Sequence, residues 1–566
     1  MLQWMVIAGY LAALGAIGLW ARRRSRPGQE DFFLAGRSLG GVVLFFTMAA
    51  TNFSSFTVFG FAGAGYRIGY AYYPIMAFGT AFMALSFLFI GIPVWRASRA
   101  TGAVTPPEFI AHRFGHAPLR IAYLAVMVVF TLPYLAIQPM GAGYALQGLL
   151  GIPYVWGAVL VTVVGVGYVL LAGMRGDAWT DALQGIVMLV AMVVVFLGIT
   201  RALGGFSAAN AATLKQAPEL FARPGGGGTF TVGIWFSYMA LWLFCDPMFP
   251  QLFQRFMAAR SAKALRTSAL LYPLVTSVLF FIPVTVGVLG RSVLPGLSGS
   301  ETDQILPLLV ARLLPGWVGA LAIACGLAAL MSTMDSQLLT LSAMLVRDVR
   351  QLAGRPAETR FPWPRLAILL LAAAGLALAL RPLGTILAIA TETFTGLAVL
   401  FPVTVAAIYW PRANPWAGFA SILAGEVLVA LYHFKLVPTF GLLPVVPVIV
   451  ATAAVLVVGS LLWPGRARPP LARVARGGWR WVAGFGILFL LSNDFWNWQD
   501  ARPGWLGLPN WLWYHAALVA ALFIMMLLYF LAAGRLPAEP APDENEPGGG
   551  DSRKDQDKPE SEPVGL

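Results

Sequence analysis

"MSTMDSQLLT" occupies residues 331–340 and interrupts an apolar run that reaches from Trp317 to Ala328 before it and from Leu341 to Val346 after it. A charged side chain at bilayer depth costs at least ~2.5 kcal/mol even on a lenient insertion scale, so an acid in such a run faces a bundle interior and marks an ion or substrate path by default. On a helix Ser332, Asp335 and Ser336 fall at i, i+3 and i+4 and share one face. Asp335 stands twelve residues before Arg347, or ~18 Å along the axis at ~1.5 Å per residue, which is too deep for it to snorkel into water. It calls for a partner inside the protein.

That run is one of many. Of 566 residues 58% are hydrophobic and 11% charged, and the mean hydropathy is +0.75, a composition that excludes an ordinary soluble protein and reads as an all-α polytopic membrane protein surrounded by lipid. The net charge of +13 could signal a nucleic-acid partner, but the basic residues form no block or stripe and recur between apolar runs, so no nucleic acid is expected. Cys245 and Cys325 are the only cysteines and both sit in apolar runs, which leaves no disulfide framework or paired-cysteine metal site. The four histidines form no zinc-protease or triad pattern, and "GGGG" at 225–228 lacks the Lys-Ser/Thr of a phosphate-binding loop, so the chain does not read as an enzyme.

Spans need roughly 20 apolar residues, and that rule places about fifteen transmembrane helices: near 2–20, 40–66, 70–95, 119–150, 154–173, 180–201, 228–250, 267–290, 315–346, 366–381, 384–410, 415–434, 441–463, 479–495 and 511–533. The first has no basic residue before it and four arginines just after it, the reverse of a cleavable signal, so it is expected to remain as a helix with its N-terminus outside. With that start, 25 of the 38 basic residues fall in cytoplasmic loops, among them Arg22, Arg37, Arg120, Arg255, Arg347, Arg360, Arg473, Arg476 and Arg480, as the positive-inside rule demands. The stretch after Leu536 is rich in Pro, Gly and charge and is expected to be a disordered cytoplasmic tail.

Five short stretches carry a resemblance. "EDFFLAGRSLGG" (30–41), "TPPEFIAHRFG" (105–115), "GDAWTDALQG" (176–185), "QRFMAARSAKAL" (254–265) and "MSTMDSQLL" (331–339) are similar, in that order, to motifs of the sodium:solute symporter family. The resemblance implies an inverted repeat of two five-helix units preceded by one extra helix. The implied divisions are the first helix and loop at 1–37, a symporter core at 38–410, additional helices at 411–536 and the tail at 537–566.

The resemblance also implies a use for the polar residues. A broken helix exposes carbonyls near the midplane, where a hard cation is held by uncharged oxygens. The implied sodium ligands are the carbonyls of Ala50 and Phe53, the carbonyl of Ala329 and the hydroxyls of Ser332 and Thr333. In some family members the acid corresponding to Asp181 joins hydroxyls of the later helix, which suggests a second cation site of Asp181, Ser332, Asp335 and Ser336.

Substrate or gate candidates are Asn52, Ser54, Ser55, Trp242, Asp246 and Glu392. Asn52 stands where some members carry an acid, and Ser54 and Ser55 fit a helix break. Pro247 and Pro250 each remove a backbone donor and mark a second discontinuous helix. Trp242 matches a position near the solute. Asp246 departs from the family pattern and reads either as a substrate or gate contact or as a cap on freed backbone groups, and Glu392 either lines an outer gate or snorkels. The Trp-rich link before the last span reads as interface-anchoring aromatics. The implied function is sodium-coupled uptake of a small organic solute across the cytoplasmic membrane, with sodium co-transported. The other reading is a symporter-like sensory protein, against which stands the lack of any phosphoacceptor-His or ATP-box sequence.

Overall fold

Apolar runs of this length become helices because nothing inside a bilayer but the chain itself can satisfy backbone N–H and C=O groups. The computed structural model describes residues 2–26, 28–357, 362–381, 384–466, 468–472 and 478–533. Over them the chain is helical, with only two isolated β-bridges and no strand. The expected disordered tail at 537–566 lies outside the described residues, as do Arg360, Arg473 and Arg476 of the basic loops.

Numbered in chain order, the apolar helices are α1 Leu2–Arg24, α2 Gly41–Asn52, α3 Phe56–Arg67, α4 Tyr72–Thr101, α5 Ala117–Leu150, α6 Tyr154–Gly167, α7 Gly173–Ala202, α8 Val232–Met248 and α9 Pro250–Ala258. There follow α10 Ala262–Val293, α11 Gly316–Leu352, α12 Trp363–Ala379, α13 Ile386–Tyr409, α14 Pro415–His433, α15 Val445–Leu462, α16 Trp479–Leu491 and α17 Asn510–Ala532. Ten are long and apolar enough to cross a membrane, and counting each bent pair as one crossing gives twelve. The expected fifteen is not reached on length. The helices α6 and α12 and the 13-residue α16 lie where spans near 154–173, 366–381 and 479–495 are predicted, but each is shorter than the roughly 20 residues that ~30 Å of hydrocarbon requires.

Two sets of five repeat one pattern. Each opens with a bent pair, 57° between α2 and α3 and 52° between α8 and α9, continues with two helices of at least 30 residues, has a short apolar helix in fourth place and closes with a long one. With the short fourth helix counted, each set has five members, the odd number that an inverted repeat is built from. The centre belongs to α4 and α11, buried over 94% and 89% of their apolar windows, against 28% for α1 and for α17 at the periphery.

The bends have local causes. After α2 the backbone leaves the helix at Phe53 (φ −86°, ψ 76°), and the N–H groups freed beyond it are taken up by side chains: Phe56 N–H donates to Ser54 Oγ (3.1 Å) and Ser55 N–H to Gln138 Oε1 (3.1 Å). Between α8 and α9 the chain is extended at Phe249, flanked by the two prolines that cannot donate. The run Tyr154–Ala202 is broken at Gly173, with φ 55° and ψ −165°, where a Cβ would meet Phe32 at 2.8 Å; only glycine permits both the conformation and the approach. The loop before α2 is pinned to the end of α9, since Arg260 N–H donates to Leu39 O (2.8 Å).

The Trp-rich link is more than an interface anchor. Arg223, fully buried, pairs with Asp494 at 2.9 Å and lies 5.2–5.6 Å from the ring centroids of Trp235, Trp498 and Trp511. Trp496 and Trp505 alone are exposed as anchoring requires. The cage clamps the link between α16 and α17 onto the core.

Candidate functional site

The bend after α2 delivers its last carbonyls to the polar stretch of α11. Ser332 Oγ donates to Ala50 O (2.9 Å) and Ala329 O (3.1 Å), and Thr333 Oγ1 donates to Thr51 O (2.9 Å) and Ala329 O (3.3 Å). Ser332 and Thr333 are fully buried. Routine back-bonding explains only the contacts to Ala329, three and four residues earlier on the same helix. The bonds to Ala50 and Thr51 cross between helices and gather uncharged oxygens at a point where one helix is broken. Phe53 stands at that break.

One turn further along α11 the arrangement differs from the predicted second cation site. Arg255 of α9 reaches in: its guanidinium donates to Asp177 Oδ2 (2.7 Å), Asp181 Oδ2 (2.9 Å), Ser336 Oγ (2.5 Å) and Thr47 Oγ1 (2.8 Å). Thr47 and Thr51 also donate to Asp181 Oδ2 (2.5 and 3.3 Å). A protein cation therefore stands between Asp181 and Ser336, and Asp335 is not with them. Both Asp335 carboxylate oxygens lack a partner, and Oδ1 faces Gly165 on α6, 3.4 Å from where a Cβ would sit. Arg255, counted in the sequence as a loop residue, is fully buried. Asp177 and Arg255 were legible only as members of "GDAWTDALQG" and "QRFM"; nothing in their spacing joins them.

Asn52, Trp242 and Asp246 do meet, in a small cavity at the two bends that Phe56, Tyr134, Phe249 and Phe394 also line. Asn52 Nδ2 donates to Tyr272 OH (2.7 Å). Asp246 closes α8 in sequence, yet its carboxylate takes no backbone N–H; Cys245 Sγ reaches Oδ1 at 3.4 Å, the Asn52 amide stands beside it, and Oδ2 has no hydrogen-bond partner. The capping role therefore falls away. Ser54 and Ser55 hold the bend and do not line the cavity. Glu392 lies elsewhere, 70% exposed and 3.5 Å from His433, in an apolar groove between α5, α13 and α14. Tyr134, Phe249 and Phe394 were missed because aromatic residues at helical spacing give no sign of which ones converge.

Ion pairs stand at both ends of the bundle. On the arginine-rich side Arg347 pairs with Glu108 (2.9 Å), Arg120 with Asp348 (2.5 Å) and Arg175 with Asp31 (2.6 Å). At the other end Arg67 stands 3.6 Å from Asp303, whose Oδ2 accepts Ile386 N–H (2.9 Å). Burial pushes the Asp303 carboxyl up to about 6, with Arg67 and the Ile386 N–H pulling it back down. A contact network at each end with a small cavity between is what an alternating gate needs.

Comparison with known proteins agrees with this architecture. The profile of the sodium:solute symporter family matches residues 32–425. The sodium/pantothenate symporter of Escherichia coli K12 is 29% identical over 464 residues, covering 80% of this chain and 95% of that one. The high-affinity proline transporter of Bacillus subtilis is 27% identical, covering 74% and 89%. Among solved structures, a sodium-coupled sialic acid symporter in a substrate-bound outward-open state superposes with a TM-score of 0.70 at 21% identity, over 83% of this chain and 99% of that one. A nucleobase-cation-symport-1 transporter in a closed conformation gives 0.55 at 12% identity, over 76% and 94%. These two likenesses carry the fold.

Proposed function

The chain belongs to the sodium:solute symporter family and serves sodium-coupled solute uptake, and on that premise we propose that one sodium ion binds where α2 breaks against α11 and drives a small organic solute through the cavity beside Trp242 and Asp246. The observation that carries this reading is the pair of inter-helix bonds from Ser332 and Thr333 to the Ala50 and Thr51 carbonyls. An ion at that point takes the lone pairs of Ala50, Phe53, Ala329, Ser332 and Thr333 and holds α2 against α11, so sodium binding and the closure of the bundle are one event. Release follows when the halves of the bent helices swing apart.

The core at 38–410 performs this work, α1 precedes it, and the helices after 410 brace it through the Arg223 cage. The protein is an integral membrane protein, read as a transporter and not an enzyme, with lipid around it, the N-terminus outside and the arginine-rich side in the cytoplasm of a bacterial cell. Cysteines introduced at 22 and 480 are then labelled from the cytoplasm, and at 215 and 500 from outside; outside labelling at 480 overturns the orientation. Native Cys245 and Cys325 are buried and do not confuse the readout.

The solutes named for the relatives, pantothenate and proline, differ enough from each other to leave the solute of this chain open. A ~100 mV inside-negative potential contributes about 2.3 kcal/mol per charge and a tenfold sodium gradient about 1.4, so one sodium supports roughly 500-fold accumulation of a neutral solute. Proteoliposomes with an imposed inward sodium gradient test the reading: solute accumulation follows the gradient and collapses when it is dissipated. Accumulation that ignores sodium overturns it.

A further inference from the structure

The cavity at the two bends contains one carboxylate and no base. Asp246 is 1% exposed, its Oδ2 has no partner, and no Lys, Arg or His among the described residues lines the cavity. Arg255, on the other half of the same bent helix, is committed to Asp177 and Asp181. A buried carboxylate with no counter-charge in the protein is costly to hold, which points to a counter-charge that arrives from outside.

The wall around it says which kind. Trp242 stacks on Phe56 with centroids 5.7 Å apart and meets Phe394 at 5.4 Å. Phe394 in turn meets Tyr134 at 4.9 Å and Phe249 at 4.7 Å. Ring faces attract organic cations, whereas a bare metal cation requires a full shell of oxygens; beside Asp246 this wall offers Asn52, Thr57, Thr80 and the Tyr134 hydroxyl, set among seven apolar side chains, a lining that favours the organic cation. An anionic solute would place a second negative charge beside Asp246 in a site shielded from water, where like charges repel strongly. The free volume is about 10 Å³, the space of one water molecule, so the rings stand closed on one another and part to admit the solute.

We propose that the solute carries a positively charged nitrogen, held by the Asp246 carboxylate and faced by Trp242, Phe394, Tyr134 and Phe249. This deepens the symport reading and rests on it. The assignment makes Asp246 the residue that selects for charge.

The test uses the purified full chain in detergent with sodium, probed by calorimetry and thermal unfolding. The probes are choline, 2-phenylethylamine and agmatine as cations, 3,3-dimethylbutan-1-ol as the neutral isostere of choline, and pantothenate as a carboxylate without a charged nitrogen. At least one cation binds, the neutral and carboxylate probes do not compete with it, and Asp246→Asn weakens it by about tenfold or more, the loss expected of a charge-assisted contact. Asp246→Glu keeps part of the affinity. Stabilisation by sodium alone, read on the same samples, reports that each variant is folded with its ion site intact. The proposal is overturned if sodium stabilises the protein but no cation binds, if Asp246→Asn binds the cation as well as wild type, or if a carboxylate probe binds in its place. Absence of any stabilisation of the wild type by sodium would instead overturn the symport reading beneath it.

Discussion

The guanidinium of Arg255 stands 2.9 Å from the Asp181 carboxylate, with both side chains fully buried. Asp177 lies 2.7 Å from the same nitrogen. Two carboxylates and one tethered cation thus occupy the region between α7, α9 and α11, a place that a mobile ion would otherwise fill. The consequence is a stoichiometry of one sodium per solute, measured by setting opposing gradients and finding the point where flux reverses. Arg255→Gln alone leaves two buried acids unpaired and costs about 3–5 kcal/mol, as breaking a buried pair does. The double change Arg255→Gln with Asp181→Asn recovers part of that loss. A wild-type ratio of two would show that a second ion binds in spite of the arginine.

Changing Ser332 and Thr333 together to Ala removes two of the five oxygens assigned to sodium while leaving two small residues on a well-packed helix. The sodium concentration for half-maximal uptake rises by roughly tenfold or more, taking each lost oxygen at about 1 kcal/mol. Unfolding temperature in the absence of sodium changes little. Uptake in proteoliposomes over a range of sodium concentrations decides it, and an unchanged sodium dependence removes the site.

Asp303 makes one end of the bundle sensitive to pH. Its folded value of about 6 lies above the ordinary 3.8, so the folded protein holds this proton more tightly than the unfolded chain. The stability so contributed is complete below about pH 4 and is lost as pH rises through 6; a shift near two units corresponds to roughly 3 kcal/mol. Asp303→Asn has no such proton to release. Unfolding temperatures compared between pH 4 and 7 therefore fall more steeply with rising pH in wild type than in the variant, and parallel curves count against the assignment.

Asp494 is the partner of Arg223 in the tryptophan cage, and it adopts a left-handed conformation with φ 39°, which Asn tolerates about as well as Asp. Asp494→Asn thus reports the lost charge with little backbone strain. The cost is about 3–5 kcal/mol, because a buried guanidinium is left without its carboxylate. The pair Arg223→Met with Asp494→Asn costs less than the sum of the two single changes. Thermal unfolding in detergent measures all three.

Much of this was legible from residue 331 outward. Polar oxygens on α11, prolines at 247 and 250, and a Ser-rich bend after Asn52 are local features, and the resemblance of the motifs supplied the expectation that the broken helix meets those hydroxyls. What local features do not contain is rotation. Asp181 and Arg255 lie 74 residues apart, and whether they touch depends on how α7 and α9 turn about their own axes, which is set by packing along their whole length.

The sequence by itself determined that the chain is a bundle of membrane helices, because hydropathy summed over twenty residues outweighs any single side chain, while the resemblance of its motifs suggested that Ser332 and Thr333 lie at a broken helix. The tertiary structure alone decided which buried charges pair. It sent Arg255 to Asp181, left Asp335 and Asp246 without charged partners, put Glu392 outside the cavity and closed three tryptophans on Arg223. Each of these outcomes turns on a distance of a few ångströms between helices far apart in the chain, and Coulomb and hydrogen-bond energies vary steeply over that range while hydropathy does not sense it.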